Sequence, residues 1–339
     1  MSTTSSQPPQ FPQPAQSHQP PVAREQSPRR RMLNAFLASP TGPLSAVVLA
    51  GLTVLVVLGP TGFGEAAITS DLARSSEGPS ADFALGTDAL GRDILTRTLA
   101  ATRLSILYAS AAVAMALVVG GLLGGLLAAG GPRVRRLGGI VIDTLLGFGD
   151  ILLAVIVVAI VGVGAKGAVL AIAVAFTPHF ARFSYSLVDQ VVVRDYMTAA
   201  RVVGVGRRGI ARRYVGRNVT DSMVIVTFTA IGEGIMALSS LSFLGMGVQS
   251  PDFDWGQMLT DGVKNFYLNP YAALAPAVLI LVTGLSVGLF GDALARAVNP
   301  VLWQERPSLL RRRRVRVTEP ATEPTQPTDP TEPTTRDLP

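Results

Sequence analysis

Cysteine is absent from the 339 residues, which removes disulfide frameworks, thiolate metal sites and cysteine nucleophiles together. Histidine occurs only as His18 and His179, so a histidine metal centre or serine–histidine catalysis has almost nothing to work with. His179 reads as an interfacial or packed side chain rather than a ligand. Lysine is equally scarce: Lys166 precedes Gly167 and Lys264 precedes Asn265. A phosphate-binding P-loop requires GxxxxGK followed by Ser or Thr, so the chain carries no Walker-type ATP site. Charge of either sign is sparse as well. Only 15% of residues are charged against 48% hydrophobic, and mean hydropathy is +0.40, whereas a soluble domain carries roughly a quarter charged residues. The chain reads as a membrane protein.

What is abundant is long apolar sequence. A bilayer-spanning helix needs about 20 predominantly apolar residues, and six candidates appear: Leu44 to Leu58, Leu104 to Ala129, Ile140 to Val163, Ala168 to Leu187, Met223 to Gly245 and Ala273 to Ala295. The expected fold is an all-α polytopic membrane protein with six transmembrane helices. The first run is the weakest, being short and followed by Gly59-Pro60. The second carries Gly120, Gly121, Gly124 and Gly125, whose spacing lets another helix approach closely. Packing is favoured there over a gating hinge.

A net charge of +6 and an isoelectric point near 10.1 would suggest nucleic acid in a soluble chain, but in a membrane chain basic residues also set topology. Placing the N-terminus inside puts Arg29 to Arg31, Arg133, Arg135, Arg136, the arginines between Asp195 and Asn218, and Arg311 to Arg314 on the cytoplasmic side. About 22 of the 29 Lys and Arg residues then lie inside and about six outside. Six spans with both termini cytoplasmic follow.

The two ends differ in composition from the rest. Residues 1–31 are rich in Gln, Pro and Ser, and residues 304–339 pass from a basic run into alternating Thr, Pro and acids. Neither can bury a core, so both are expected to be disordered or polyproline-like tails flanking a six-span body at 32–303. RRRML at Arg29 to Leu33 faintly resembles a twin-arginine export signal. The first span is nevertheless expected to stay as an uncleaved anchor, because no convincing small-residue cleavage site follows it and five more spans come after.

DYMTAARVVGVGRRGIARRYVGRN, Asp195 to Asn218, is the most basic stretch between apolar runs. GVGRRG within it matches GxGxxG, but a dinucleotide site needs a preceding buried strand, a crossover helix and a later acidic residue. AARVV instead continues a helical pattern. Asp195 suits the N-cap of a helix over Tyr196 to Val203, with Thr198 in the capping-box position and Gly204 as its terminating residue. A second helix fits Arg207 to Val215, followed by Gly216. The small side chains of Thr198, Ala199 and Ala200 let the first helix sit close in a partner's groove; resting on anionic lipid is the other reading these residues allow.

TAARVVG resembles the EAA loop of binding-protein-dependent ABC importer permeases. Three further blocks resemble one branch of them, the C-type permease subunit of dipeptide, oligopeptide and nickel importers: LGTDALGRDILTRTLAATRLS at Leu85 to Ser105, LSFLGMGVQSPDFDWGQML at Leu241 to Leu259, and APAVLILVTGLSVGLFGDALARAVNP at Ala275 to Pro300. The likeness runs from about Arg31 to about Leu302. The departures are local: Thr198 stands where the EAA loop has glutamate, Tyr214 and Arg217 replace a histidine and a proline, and Leu238 stands where an acidic residue often precedes LSFLG.

The resemblance implies a type I ABC importer permease fold and a transporter subunit rather than an enzyme. It implies pairing with a second permease to form the path. It also implies insertion of the coupling loop, here Asp195, Tyr196, Thr198, Ala199, Ala200, Gly204, Arg207, Arg208, Tyr214 and Asn218, into a cleft on a cytoplasmic ATPase. ATP and Mg are then bound by two partner ATPase subunits or domains and no cofactor by this chain, while an extracytoplasmic binding protein docks on outer loops, above all Leu85 to Arg97 and Val248 to Phe266. Thr198 keeps capping capacity but loses the charge of the usual glutamate.

The outer signature also has a physical reading. Asp88 and Asp93 bracket Gly91-Arg92, Thr87 or Asp88 is placed to cap a short helix leading to the second span, and Gly86 and Gly91 suit a tight turn. A structural elbow that orients the span is the plain alternative. Trp255 is expected as an aromatic anchor at the interface. Ionisable residues within spans are functional suspects: Asp143 and Asp150 share one face of the third span, where Asp143 is expected to be structural, while Asp150 and Glu233 are candidates for lining the path. Phe243 and Gly245 belong to the block ending the fifth span. Two other classes compete. A proton-coupled secondary carrier could use Asp150 and Glu233 as relays, but no repeated halves are visible. A membrane-tethered nucleic-acid binder has only Tyr196 and Tyr214 for base stacking in its basic stretch, so no nucleic-acid partner is expected.

Overall fold

Inside a bilayer no water satisfies backbone N–H and C=O groups, so an apolar chain must form helices that satisfy them internally. The computed structural model describes residues 33–34, 36–192 and 216–298 and follows that rule. Its order is α1 (Thr41–Ile68), α2 (Ile94–Ala129), α3 (Pro132–Gly147), α4 (Asp150–Val161), α5 (Ala165–Val192), α6 (Gly216–Phe243), α7 (Trp255–Lys264) and α8 (Tyr271–Val298). The described residues contain no strand, only an isolated bridge between Thr87 and Asp93. Five helices, α1, α2, α5, α6 and α8, are long and apolar enough to cross a membrane, and α3 with α4 makes a sixth crossing if counted together.

Three expectations are corrected. The third span is not a straight Ile140 to Val163 helix: α3 and α4 meet at 94°. Gly149 adopts a φ of +74°, a left-handed conformation that ends the α-helical hydrogen-bond ladder and suits only glycine without strain. The Gly59-Pro60 pair does not end the first helix, which continues to Ile68. The second helix starts at Ile94 and runs for 36 residues, so no separate short helix leads into it. The tails at 1–31 and 304–339, and the two predicted helices at Tyr196 to Val203 and Arg207 to Val215, lie outside the described residues.

The core is built on the pairing of α2 with α5, through small side chains. Ala109, Ala112, Val113 and Ala116 of α2 are buried, as are Ala168, Ala171, Ile172, Ala175 and Phe176 of α5. A Cβ on Gly120 would lie 2.5 Å from the Thr177 carbonyl oxygen, and one on Gly124 would lie 2.1 Å from that of Ala181. These two glycines are the contact surface itself, the close approach that small residues permit between membrane helices. Gly121 and Gly125, on the neighbouring face, have ordinary clearance. Ser184 donates to the Gly121 carbonyl at 2.9 Å, a polar tie across the same contact.

Side-chain contacts sort the bundle into two ends. At the signature end, Trp255 meets Thr98 and Ser105, and Asn269 meets Glu77 and Thr87. At the opposite end Arg135 pairs with Asp189 and Arg296 bonds Thr41. The C-terminal part of α5, which carries Asp189, belongs to this opposite end.

Candidate functional site

At the signature end, residues 69–93 form an ordered knot. Asp88 accepts from the backbone N–H groups of Leu90 at 2.8 Å and Arg92 at 3.0 Å, and its second oxygen takes the Arg92 Nε at 2.7 Å. The turn it organises requires Gly91 at φ +74°, where a Cβ would sit 1.8 Å from the Asp71 carbonyl oxygen. Thr87 is fully buried; its hydroxyl donates to the Arg74 carbonyl and accepts from Glu77 N–H. Gly86, at φ +79°, leaves the space that the Asn269 carboxamide fills. Arg74 binds Glu77 and Asp82 across the knot, and its hydrogen bond to Glu77 holds its guanidinium above the ordinary value.

The helix-capping expectation is corrected here. Neither Thr87 nor Asp88 caps a helix; Asp93 does, accepting from Leu95 N–H at 3.1 Å and Thr96 N–H at 3.3 Å to open α2. Such a cap contributes about 1 kcal/mol. All six signature residues, Gly86, Thr87, Asp88, Gly91, Arg92 and Asp93, therefore build one elbow that sets where α2 begins.

Sequence reasoning missed the residues that fasten this elbow to the bundle. Arg97 is 5% exposed; its Nη1 donates to the Ala67 carbonyl at 2.9 Å, its Nε lies 3.6 Å from Asp88, and its guanidinium stacks 4.2 Å above the Phe253 ring. One cation thus joins the end of α1, the signature turn and the loop before α7. The Asn269 carboxamide reaches the carbonyls of Glu77, Leu85 and Thr87 at 3.1, 3.2 and 3.3 Å. The available signal for Arg97 was a basic residue one turn inside a strongly apolar helix, which must find a partner or reach water. Asn269 had no such signal.

Trp255 is also corrected: it is 0% exposed and is no interfacial anchor. Its indole N–H donates to the Thr98 carbonyl at 3.0 Å, and its backbone N–H donates to the Ser105 hydroxyl at 3.0 Å. Asp254, 1% exposed, caps α7 by accepting from Gln257 N–H at 2.9 Å, and it takes the Ser242 hydroxyl at 2.7 Å. Burial pushes its carboxyl above the ordinary value, and the Gln257 and Ser242 hydrogen bonds pull it part of the way back. A cavity of about 270 Å³ opens beside the elbow, between Asp88, Arg92, Asp261, Lys264 and Asn265. Both predicted docking segments, Leu85 to Arg97 and Val248 to Phe266, thus meet in one mixed-charge surface.

Elsewhere the candidate residues separate. Asp143 lies 3.4 Å from Arg182 and Asp150 lies 3.5 Å from His179. With Arg135 and Asp189 they make three polar contacts between the α3–α4 pair and α5. Glu233 stands apart, exposed near the middle of α6, with no ion pair among the described residues. Phe243 closes α6 and is partly exposed, and Gly245 takes a φ of +79° just after it. Asp195, Tyr196, Thr198, Ala199, Ala200, Gly204, Arg207, Arg208 and Tyr214 lie outside the described residues, and Asn218 is placed only as backbone in the first turn of α6.

Several apolar helices long enough to span, with an ion-paired elbow between the first two, define a multi-pass α-helical membrane protein. Residues 120–300 match the family model of the binding-protein-dependent transport system inner membrane component. The chain belongs to that family: it is an inner-membrane permease of a binding-protein-dependent transport system, and a transport subunit rather than an enzyme. It is 36% identical over 232 residues to the di/tripeptide transport system permease protein DppC of Pseudomonas aeruginosa, covering 67% of this chain and 75% of that one. Over 294 residues it is 33% identical to the glutathione transport system permease protein GsiD of Pectobacterium atrosepticum, covering 83% and 95%. The peptide transport system permease protein SapC of Escherichia coli is 34% identical over 158 residues, covering 47% and 53%.

Proposed function

We propose that this chain, with residues 32–303 as its working domain, is one of two permease subunits through which small peptides enter the cell, driven by ATP hydrolysis on separate cytoplasmic subunits. The observation that carries the reading is similarity over most of the chain to permeases named for di/tripeptide and glutathione transport. Nickel and related small solutes are the alternative cargoes of the same machinery. The signature end faces outward and receives the loaded binding protein on the surface around Asp88, Arg92, Asp261 and Lys264. The chain termini and the Asp195 to Asn218 stretch face the cytoplasm.

The separation of the two ends supports this division of labour. On this reading the receptor docks at the elbow, and the ATPase holds the Thr198 to Gly204 segment of the connection between α5 and α6. Alternating access then requires two packed arrangements close in energy, biased by the receptor from one side and by ATP from the other. Thr198 retains the capping oxygen but not the charge, so the ATPase contact rests on shape and on the neighbouring arginines.

The test is reconstitution. Proteoliposomes holding this chain, a second permease and the ATPases, supplied with binding protein, take up labelled di- and tripeptides only with ATP, and a protonophore leaves uptake intact. Collapse of uptake by the protonophore at constant ATP refutes the ATP-driven reading. Gly204→Val abolishes co-purification of the ATPases while leaving membrane insertion intact; undiminished ATPase pull-down refutes the coupling role of that bend.

A further inference from the structure

The outward faces of the membrane-crossing helices are not alike. On α2 the exposed side is Met115, Val118, Leu122 and Leu126, and on α8 it is Leu274, Val278, Leu281 and Leu285, side chains suited to hydrocarbon. On α6 the exposed side chains are Val224, Glu233, Met236 and Phe243, and Ser222 and Ser240 are partly exposed on the face that carries Glu233. One carboxylate thus stands among apolar neighbours with two hydroxyls on its own face.

The rotation of α6 is set by the glycines flanking Glu233. A Cβ on Gly232 would lie 2.9 Å from the Gly284 carbonyl oxygen of α8, and one on Gly234 would lie 2.8 Å from the Val113 side chain of α2. Successive helix positions are turned by about 100°, so with one neighbour against α8 and the next against α2, Glu233 points away from both. Its carboxylate has no ion pair among the described residues, in contrast to Asp143 and Asp150, which are paired. An unpaired carboxylate at mid-span faces protein or water rather than lipid.

We propose that this face of α6 lines the translocation path and that Glu233 recognises a primary ammonium group on the passing cargo. The inference rests on the peptide-import reading. Di- and tripeptides and glutathione, the cargoes named for the relatives, differ in size and backbone but all carry a free ammonium group, the one cationic feature a lone carboxylate could serve in each. Weak, water-assisted pairing suits a path, because tight binding at mid-membrane would retain cargo. The neighbouring Ser240 hydroxyl, which donates to the Met236 carbonyl at 2.8 Å, accepts from the displaced water as the ammonium passes.

The test uses the assembled importer in proteoliposomes. Because the chain has no cysteine, Glu233→Cys introduces a single thiol into it. With cysteine-free partner subunits, a membrane-impermeant, water-soluble thiol reagent modifies that position, and a transported dipeptide slows the modification. Glu233→Gln raises the KM for a dipeptide with a free amino group roughly tenfold, the loss of one charge-assisted hydrogen bond, and Glu233→Asp restores part of it. No modification of the thiol overturns the proposal, as does an unchanged KM in Glu233→Gln. Loss of the second permease on purification of Glu233→Gln also overturns it, since the carboxylate then pairs with a basic group of that subunit. Absence of any peptide uptake by the unsubstituted complex refutes the peptide reading itself, and is recognised before either variant is made.

Discussion

Replacing Trp255 distinguishes a buried keystone from a side chain resting at the membrane surface. Trp255→Phe keeps most of the ring but loses the indole N–H bond to the Thr98 carbonyl, a loss of about 1 kcal/mol. Thr98 O retains the Thr102 hydroxyl at 3.4 Å, which limits the damage. Trp255→Ala removes a side chain that is 0% exposed and leaves a cavity between α2, α6 and α7, at about 3–5 kcal/mol. At roughly 2–4 °C per kcal/mol for a domain of this size, the alanine variant melts roughly 6–20 °C lower and the phenylalanine variant only a few degrees lower. The assay is thermal unfolding of the purified chain in detergent, followed by loss of the monodisperse peak. An alanine variant melting within about 2 °C of the original refutes the keystone role, because a surface anchor contributes little to the packed fold.

Gly124→Leu forces side-chain atoms toward the Ala181 carbonyl across the α2–α5 contact. It is expected to cost at least 1–3 kcal/mol, roughly the penalty of an overpacked core, whereas Gly125→Leu is tolerated, and paired melting curves check the contrast. Asp254 carries a raised carboxyl in the folded state, so its protonation favours folding. That stabilisation is complete below the unfolded aspartate value and is lost as pH rises through the higher folded value. Melting temperature therefore climbs on acidification through that window, and Asp254→Asn removes this part of the pH profile. Exchanging the partners in Asp143→Arg with Arg182→Asp is expected to recover most of the loss of either single change, by 0.5 kcal/mol or more in a double-mutant cycle, on the order seen for contacting pairs. Full additivity of the two single changes shows that the 3.4 Å pair carries no stability.

Helix number and order were legible because the bilayer leaves an apolar run only one way to satisfy its backbone. The exceptions are places where one residue's conformation or one distant partner decides. The 94° break depends on the left-handed φ of Gly149, which composition cannot separate from the ordinary conformations of the chain's other glycines. Trp255 looked like an interfacial aromatic because its loop is polar, and only the Thr98 and Ser105 partners, more than a hundred residues away, place it inside. The glycines and acids of the signature were visible as a turn. Their dependence on Arg97 and Asn269 was not, since both contacts join segments remote in sequence. The separation of Glu233 from Asp150 was likewise invisible, because both read as candidates for lining the path until α5 supplies His179 as a neighbour to Asp150.

Asn269 ties together parts of the chain that are made far apart in time. Its carboxamide closes contacts with Glu77, Leu85 and Thr87 over separations of 192, 184 and 182 residues. While the polypeptide is being synthesised, the excursion between the first two membrane helices must wait without that latch until the start of the last membrane helix has emerged and entered the bilayer. A nascent chain halted before residue 269 therefore holds this excursion by Arg97 and its internal contacts alone, and is expected to be more open to proteolysis than the finished protein.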